Sequence, residues 1–147
     1  MLRTTEGGSV LSEMAVVEFE RRRRRALPAT YRDFLKATNG GRPERDLIVV
    51  PGCEASPYAR VHFFLGLSHP IEAYNLDWNM DNFDDLPVGW LPIAKTEGAD
   101  MFCLAPNGVV VFFDGYGGPC IEVADDFAQF VSKLYRDDLS PALERFS

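Results

Sequence analysis

Apolar positions along the chain follow two spacings, one typical of strands and the other of helices. Three short apolar runs lie close together at 91–94, 101–105 and 109–113, and each is rich in β-branched or aromatic residues and bounded by turn formers. This pattern predicts three strands. Pro-Asn-Gly at 106–108 suits the positive φ of a tight hairpin turn between the last two. The run 109–113 has no polar alternation, which predicts a central strand covered on both faces.

Helical spacing predicts two helices in the first third of the chain. One begins at Ser12 and presents Met14 and Val17 on its apolar side. The other begins with Leu-Pro at 27–28, because proline is tolerated in a first helical turn. Asn-Gly-Gly at 39–41 ends it with residues that adopt left-handed conformations cheaply.

The same spacings predict further elements along the rest of the chain. A short helix opens at 68–70, and a longer one follows Asp126, which has capping-box spacing to Gln129. Strands are predicted at 47–50, 61–65 and 120–124, a terminal helical turn at 140–141, and a loose lead-in at 1–10. A length of 147 residues favours one domain over the whole of 1–147.

Charge is unevenly distributed along the chain. Residues 1–60 carry 11 Lys/Arg and 8 Asp/Glu, a balance of +3, whereas residues 61–147 carry 4 and 14, a balance of −10. An acidic half of this size repels nucleic acid and favours basic partners. No segment has the pattern of a signal peptide or approaches the ~20 apolar residues of a membrane span. We therefore expect a cytoplasmic protein that binds neither nucleic acid nor membrane.

Five consecutive arginines at 21–25 interrupt this acidic character. One interpretation is a nucleic-acid or nuclear-targeting segment. The other is a solvated helix end, with Glu18–Arg22 and Glu20–Arg24 ion pairs at i,i+4 spacing. The overall charge of −7 favours the solvated helix end.

The cysteines and histidines show no metal-binding pattern. Cys53, Cys103 and Cys120 have no CxxC spacing, and neither His62 nor His69 stands in a recognisable ligand spacing with them. We therefore predict reduced thiols and no zinc. We expect both histidines to pack or to cap backbone groups.

Residues 77–82 resemble the start of a calcium-binding loop. Asn82 occupies the position that requires glycine, and Val88 occupies that of the bidentate Glu. We interpret the segment as an acidic loop without a metal or any other cofactor.

Catalytic motifs are missing from the sequence, including GxSxG, HExxH, the P-loop and GxGxxG. The adjacent carboxylates Asp84 and Asp85 could raise one pKa by repulsion, but neighbouring loop residues usually point apart into water. We predict that the protein is not an enzyme and has no catalytic residues.

In their order, the signals resemble the SUKH superfamily, which contains fungal cell-wall-assembly regulators and bacterial immunity proteins. The matching pieces are Leu27-Pro28-x-x-Tyr31-x-x-Phe34-Leu35, Asn39-Gly40-Gly41, Phe64-Leu65, Trp90-Leu91-Pro92-Ile93-Ala94, the strand from Asp100 to Leu104, Gly108-Val109-Val110, Asp114 and Phe127-x-x-Phe130. The pattern departs from the family at 98–100, where Gly-Ala-Asp replaces a glycine pair, and at the basic run 21–25.

The resemblance implies an α+β domain with a mixed, mostly antiparallel sheet and helices packed on it. It also implies a non-enzymatic binding protein. One implied role is an immunity protein that neutralises a bacterial polymorphic toxin, such as a basic nuclease domain, by direct binding and occlusion. The alternative is a regulatory adaptor of the cell-wall-assembly type. We expect a monomer or a weak homodimer.

A partner-binding surface is predicted from acidic residues in the loops of the second half. If they share a face, they could mimic phosphate and meet the basic cleft of a nuclease, which would speed association more than it would raise affinity. Aromatic neighbours could act as anchors, although both tryptophans could instead belong to the core. The predicted residues are Asp77, Trp78, Asp81, Asp84, Asp85, Trp90, Glu97, Asp100, Asp114 and Tyr116.

Overall fold

The computed structural model describes residues 2–52, 57–118 and 120–136. Predictions for Cys53 and for the terminal turn at 140–141 lie outside these described residues. Within the described residues, helices packed on a mainly antiparallel sheet form an α+β fold, as predicted from the sequence.

The elements alternate between short strands and four α-helices in the described part of the chain. In order they are β1 (Thr4–Thr5), α1 (Glu13–Arg23), α2 (Ala29–Thr38), β2 (Arg42–Pro43), β3 (Leu47–Val49), β4 (Tyr58–Arg60), β5 (Phe63–Phe64), a 3-10 turn (Glu72–Tyr74), α3 (Leu76–Asn82), β6 (Leu91–Lys95), β7 (Met101–Leu104), β8 (Val110–Phe113), β9 (Ile121–Ala124) and α4 (Phe127–Lys133).

Strands β5 to β9 form a five-stranded antiparallel sheet whose spatial order is the chain order. Two antiparallel ribbons, β1–β2 and β3–β4, lie outside this sheet. The predicted hairpin at 106–108 is confirmed, with Gly108 at φ +89° between β7 and β8. Strand β8 is interior, but β7 takes the central place, because two strands precede β7 in the sheet and two follow it.

The sheet has two buried faces, because successive side chains on a strand point to opposite sides. Phe102, Leu104 and Val110 belong to the main core on one face. On the other face, Cys103 and Val111 are also buried. Protein therefore covers both faces of β7 and β8, which explains the unbroken apolar run at 109–113.

Helices α2 and α4 cover the main-core face through a cluster of aromatic rings. Phe34 of α2 lies 4.9 Å from Phe64 and 5.2 Å from Phe127, measured between ring centroids. Phe130 of α4 lies 5.2 Å from Phe102 of β7. Such pairs contribute about 0.5–1.5 kcal/mol each beyond the burial of their surface. The aromatic residues of these two helices thus belong to the main core.

Helix α1 begins where predicted but is rotated from its expected orientation. The Ser12 side chain caps its N-terminus. The buried residues are Val16 and Phe19, whereas Met14 is 71% exposed, so the predicted apolar side of Met14 and Val17 was wrong. The helix turns towards Phe19 because an aromatic ring buries more apolar surface than a methionine or valine side chain.

Residues 2–10 are docked on the domain, in contrast to the expected loose lead-in. Leu2 is 2% exposed in the main core, and β1 pairs with β2. The Gly8 N–H donates to the carbonyl oxygen of Asn39 at 3.0 Å. These partners lie about 30 residues or more along the chain, and no local sequence signal shows such pairing.

The third predicted helix is divided into a 3-10 turn and α3. Asn75 separates them with an extended backbone of φ −102° and ψ 142°. Its side chain accepts a hydrogen bond from the His69 N–H at 2.6 Å and donates to the carbonyl oxygens of Ile71 and Glu72. These local bonds compete with helix formation, which accounts for the break.

Candidate functional site

Part of the predicted acidic set meets at one end of the five-stranded sheet. Asp100 precedes β7 and Asp114 follows β8, and the pairing of these strands brings the two carboxyl groups together. Glu97, on the turn before β7, is 74% exposed, and Tyr116 is 80% exposed. We call Glu97, Asp100, Asp114 and Tyr116 the sheet-end cluster.

The two paired aspartates of the cluster repel each other. Asp100 accepts a hydrogen bond from the Gly115 N–H at 3.1 Å, and Asp114 accepts one from the Tyr116 N–H at 2.8 Å. Partial burial raises the pKa of Asp100, the bond from Gly115 opposes this, and the neighbouring Asp114 raises the pKa further. Two carboxylates in one site therefore cost stability at neutral pH, and an approaching cation would relieve the repulsion.

We expect Asp100→Asn to raise the stability of the free protein at pH 7. The amide oxygen can still accept the bond from Gly115, while the repulsion by Asp114 disappears. Because the Asp100 carboxyl is only partly buried and water screens the repulsion, the gain should be below about 1 kcal/mol. Thermal unfolding of both proteins between pH 3.5 and 7 measures it.

The sign of the pH dependence follows from the raised pKa of Asp100. The folded state holds this proton more tightly than the unfolded state, so the contribution of Asp100 to stability falls as pH rises above about 3.9. The advantage of Asp100→Asn should therefore grow with pH over this range. A variant less stable than the parent at pH 7 would show that the carboxylate–Gly115 bond outweighs the repulsion.

The segment 77–82, interpreted from the sequence as an acidic loop, belongs instead to helix α3, and its acids are ion-paired with α1. An Asp77 carboxylate oxygen lies 2.6 Å from a guanidinium nitrogen of Arg22, and the other lies 2.7 Å from one of Arg23. Asp81 lies 3.0 Å from Arg23. These acids therefore help to fix α3 against α1, and part of their charge is neutralised within the chain.

The predicted i,i+4 ion pairs of α1 do not form, and one member of each pair has a partner on another element. Arg22 pairs with Asp77 rather than with Glu18. Glu20 accepts hydrogen bonds from the Leu27 N–H at 2.8 Å and from Arg32 at 3.1 Å. The arginine run is therefore only in part a solvated helix end.

Trp78 and Phe83 lie at the same end of β6 as the cluster. The Lys95 ammonium, at the end of β6, is 5.7 Å from the ring centroid of Trp78 and 5.1 Å from that of Phe83. Burial by these neighbours lowers the pKa of Lys95. Asp84 and Asp85 follow Phe83, are exposed, and form no ion pair with any of the described residues.

Trp90 lies apart from the other predicted site residues. It immediately precedes β6, whereas Glu97 follows that strand, and five strand residues span about 17 Å. The three predicted aromatic anchors are therefore divided, with Trp78 and Tyr116 near the acids and Trp90 at the other end of β6. Both tryptophans are partly exposed, so neither is a fully buried core residue.

The sequence interpretation missed a basic groove beside Trp90. Its volume is about 450 Å³, and its lining includes Arg23, Arg24, Arg25, Met80, Trp90 and Pro106. The groove exists because α1 ends at Arg24, whose left-handed conformation (φ 52°) turns the chain away from the helix axis. The available signal was Leu27-Pro28, which follows the arginine run after a single alanine, since a proline that begins a new helix implies that the first helix has ended.

The remaining titratable side chains have structural surroundings. Burial raises the pKa of the Cys103 thiol, which disfavours its thiolate. His69 accepts a hydrogen bond from the Ile71 N–H at 2.9 Å, and its Nε2 lies 3.0 Å from the Glu6 carbonyl oxygen. This histidine therefore serves as a backbone cap, as expected. Within 2–52, 57–118 and 120–136, no group of three or more His, Cys, Asp or Glu side chains is arranged to hold a metal ion.

None of the helices in the described ranges has the length and apolar character that a membrane crossing requires.

Comparison with known protein families gives a match that covers most of the chain. The model described as SMI1 / KNR4 family (SUKH-1) matches residues 11–133. This range begins just ahead of α1 and ends with α4, so it includes the five-stranded sheet, the sheet-end cluster and the basic groove. No curated protein sequence matches the chain.

Proposed function

Because the chain belongs to the SMI1/KNR4 family (SUKH-1), we propose that it is a non-enzymatic immunity protein that binds and occludes a bacterial toxin. The family supports immunity or regulatory roles and protein–protein interaction in general. The proposed partner is a basic nuclease-type toxin domain, and binding takes place in the cytoplasm, where such a nuclease would act. One immunity protein would bind one toxin, without a cofactor.

The observation that carries this proposal is the acidic end of the sheet. Glu97, Asp100 and Asp114 lie there, and Asp84 and Asp85 are exposed directly after Phe83, whose ring is 5.1 Å from the Lys95 ammonium. We call these five acids, with Trp78 and Tyr116, the acidic surface. Their carboxylates present negative charges, which a basic cleft that normally holds phosphate can bind.

The repulsion between Asp100 and Asp114 supports a binding role. Asp114 raises the pKa of Asp100, which means that the two carboxylates repel each other in the free protein. A lysine or arginine of a partner would remove the repulsion, and the energy released would favour the complex. Tyr116, with 80% of its surface exposed, is available as an aromatic anchor beside these acids.

The structure refines which residues can test the proposal. Asp77 and Asp81 are bound to Arg22 and Arg23, so reversing their charge would disturb the contact between α1 and α3. Asp84, Asp85 and Glu97 are exposed and form no ion pair with an arginine or lysine of the described chain. Glu97 has one weak contact, 3.6 Å to His62.

We expect the triple reversal of Asp84, Asp85 and Glu97 to Lys to slow association with the toxin at least about tenfold at low salt. The physical reason is the loss of electrostatic steering, so the dependence of the association rate on salt should also weaken. The partner is first isolated by pull-down from native extract at low and high salt and identified by mass spectrometry. Stopped-flow fluorescence with the purified toxin domain then gives the rate.

A matched control separates the acidic surface from overall charge. Reversal of Glu18, Asp33 and Asp125 to Lys changes the net charge by the same amount, from −7 to about −1, on α1, α2 and the start of α4. Equal slowing by both triple variants would rule out the acidic surface as the docking site. Recovery of several signalling or wall-synthesis proteins, in place of one basic nuclease, would favour the regulatory adaptor.

A further inference from the structure

Two grooves adjoin each other at the end of β6 opposite to the acidic surface. The basic groove, about 450 Å³, contains Arg24 and Arg25. A second groove of about 480 Å³ is lined mainly by apolar groups of the β7–β8 hairpin, including Val109 and Val111. Trp90 and Pro106 line both grooves and form the ridge between them.

The basic groove contains cations that the chain itself does not neutralise. Arg23 is paired with Asp77 and Asp81. By contrast, Arg24 is exposed and pairs with no acid in the described residues, and Arg25 donates only to backbone carbonyl oxygens. The groove therefore has a net positive charge, although the whole chain carries a net charge of −7.

Arg25 is the more unusual of the two free arginines. It is half-buried, and it donates to the carbonyl oxygens of Gly89, of Leu104 at 3.3 Å and of Ala105 at 3.1 Å. Burial lowers the pKa of its guanidinium, and no carboxylate compensates for this cost. A cation withdrawn from water without a counter-ion favours binding of an external anion nearby.

We propose that the two grooves bind an extended segment of a second protein partner, in which a carboxylate stands close in sequence to a large apolar side chain. The carboxylate of the bound segment contacts Arg24 and is also attracted by the charge of Arg25. The large apolar side chain crosses the ridge of Trp90 and Pro106 and packs against Val109 and Val111. Arginine suits this role, because its planar guanidinium can hold a carboxylate with two hydrogen bonds. The aromatic ridge supplies the apolar contact that interface anchors require.

The charge count favours a peptide over a nucleic acid. The two arginines without an acidic partner can balance the charge of one or two carboxylates. The partial negative charge at the C-terminus of α1 lowers the positive charge of the groove by roughly half an elementary charge. Nucleic-acid binding generally requires several phosphate contacts, and the net charge of −7 opposes a long polyanion. The apolar second groove also offers little to a phosphate backbone.

This inference does not rest on the proposed immunity function. The basic groove lies at the opposite end of β6 from the acidic surface and has the opposite charge. The two proposals can therefore fail separately.

The test uses the full chain and a synthetic library of random heptapeptides. The immobilised protein is incubated with the library, and bound peptides are sequenced by mass spectrometry. We expect enrichment of peptides with Asp or Glu within two positions of Phe, Tyr, Trp, Leu or Ile. An enriched peptide is then titrated against Trp78→Phe protein, in which Trp90 is the remaining tryptophan and reports binding by its fluorescence.

Substitutions in the arginine run test whether the peptide binds in the basic groove. Arg24→Gly removes the free guanidinium while favouring the left-handed backbone of that position, so the fold is retained. We expect it to weaken peptide binding at least about tenfold, and we expect the same loss when the peptide carboxylate is replaced by an amide. Arg21→Ala is the matched control, because Arg21 is exposed in the same run but does not line the groove.

Three results would overturn the proposal. They are no enrichment over the library input, an equal loss with Arg21→Ala, and undiminished binding of the amide peptide. Tighter binding of a 12-nucleotide oligothymidine than of any peptide, abolished by Arg24→Gly, would instead identify a nucleic-acid site.

Discussion

Gly40→Ala is expected to lower the free energy of unfolding by more than about 3 kcal/mol or to prevent folding. Gly40 has φ +81°, a conformation that costs an L-residue about 1–2 kcal/mol. An added Cβ would also lie 2.4 Å from the carbonyl oxygen of Phe64 and 3.0 Å from the carbonyl carbon of Leu65. These are backbone atoms in and next to β5. Gly41 donates a hydrogen bond to Phe64 and accepts one from it, so the two segments cannot move apart without breaking these bonds.

Gly108→Ala is the control that isolates the steric part of this effect. Gly108 has a similar φ of +89°, but nothing lies within 4 Å of the position that a Cβ would occupy. We expect this variant to lose only about 1–2 kcal/mol, from backbone strain alone. Urea unfolding, followed by circular dichroism, gives both values. Equal losses would show that the contact with Phe64 relaxes and that strain is the whole effect.

Asn39→Ala is expected to cost about 3–5 kcal/mol of stability. Asn39 is 1% exposed. Its Oδ1 accepts the Leu67 N–H at 2.7 Å, and its Nδ2 donates to the carbonyl oxygens of Ser9 and Leu67, both at 2.9 Å. Alanine would leave these buried groups without partners, at about 1–3 kcal/mol for the most buried one, and would be strained at φ 47°.

Asn39→Gly separates hydrogen bonding from backbone strain at the same position. Glycine accepts the left-handed conformation, so this variant should lose about 1–2 kcal/mol less than Asn39→Ala. Both variants should expose residues 2–10 to limited proteolysis, because the bond to Ser9 is lost in each. If Asn39→Gly unfolds at the same urea concentration as the parent protein, the side-chain bonds do not stabilise the fold.

Local features of the fold could be predicted because the residues that determine them are adjacent in sequence. The end of α2 at Asn39 and the hairpin at Gly108 both depend on residues that tolerate positive φ, and both are confirmed. The docking of residues 2–10 could not be predicted, because Ser9 meets Asn39 across 30 residues. The orientation of α1 depends on which residue its neighbours can bury, which periodicity alone does not decide.

The candidate site also combines features that local sequence signals predict with features that depend on contacts between distant residues. The approach of Asp100 and Asp114 follows from their symmetric positions around a predicted hairpin, so sequence reasoning could bring them together. The neutralisation of Asp77 by Arg22 joins residues 55 positions apart, and spacing rules for a single helix cannot find it. The basic groove was missed for the same reason, since its walls come from the end of α1 and from the loops around β6 and β7.

The spatial order of β5 to β9, which equals their order in the chain, has a kinetic consequence. Strands β7 to β9 can each pair with the strand made just before it, so β6 to β9 can form one hairpin at a time. Strand β5 joins β6 across a 26-residue connection, and the entropy cost of closing such a loop grows only slowly with its length. Hairpins form within about 1–10 μs, far faster than the seconds a ribosome needs for a chain of this length. Synthesis, rather than folding of the sheet, should therefore set how soon a new molecule presents its acidic surface.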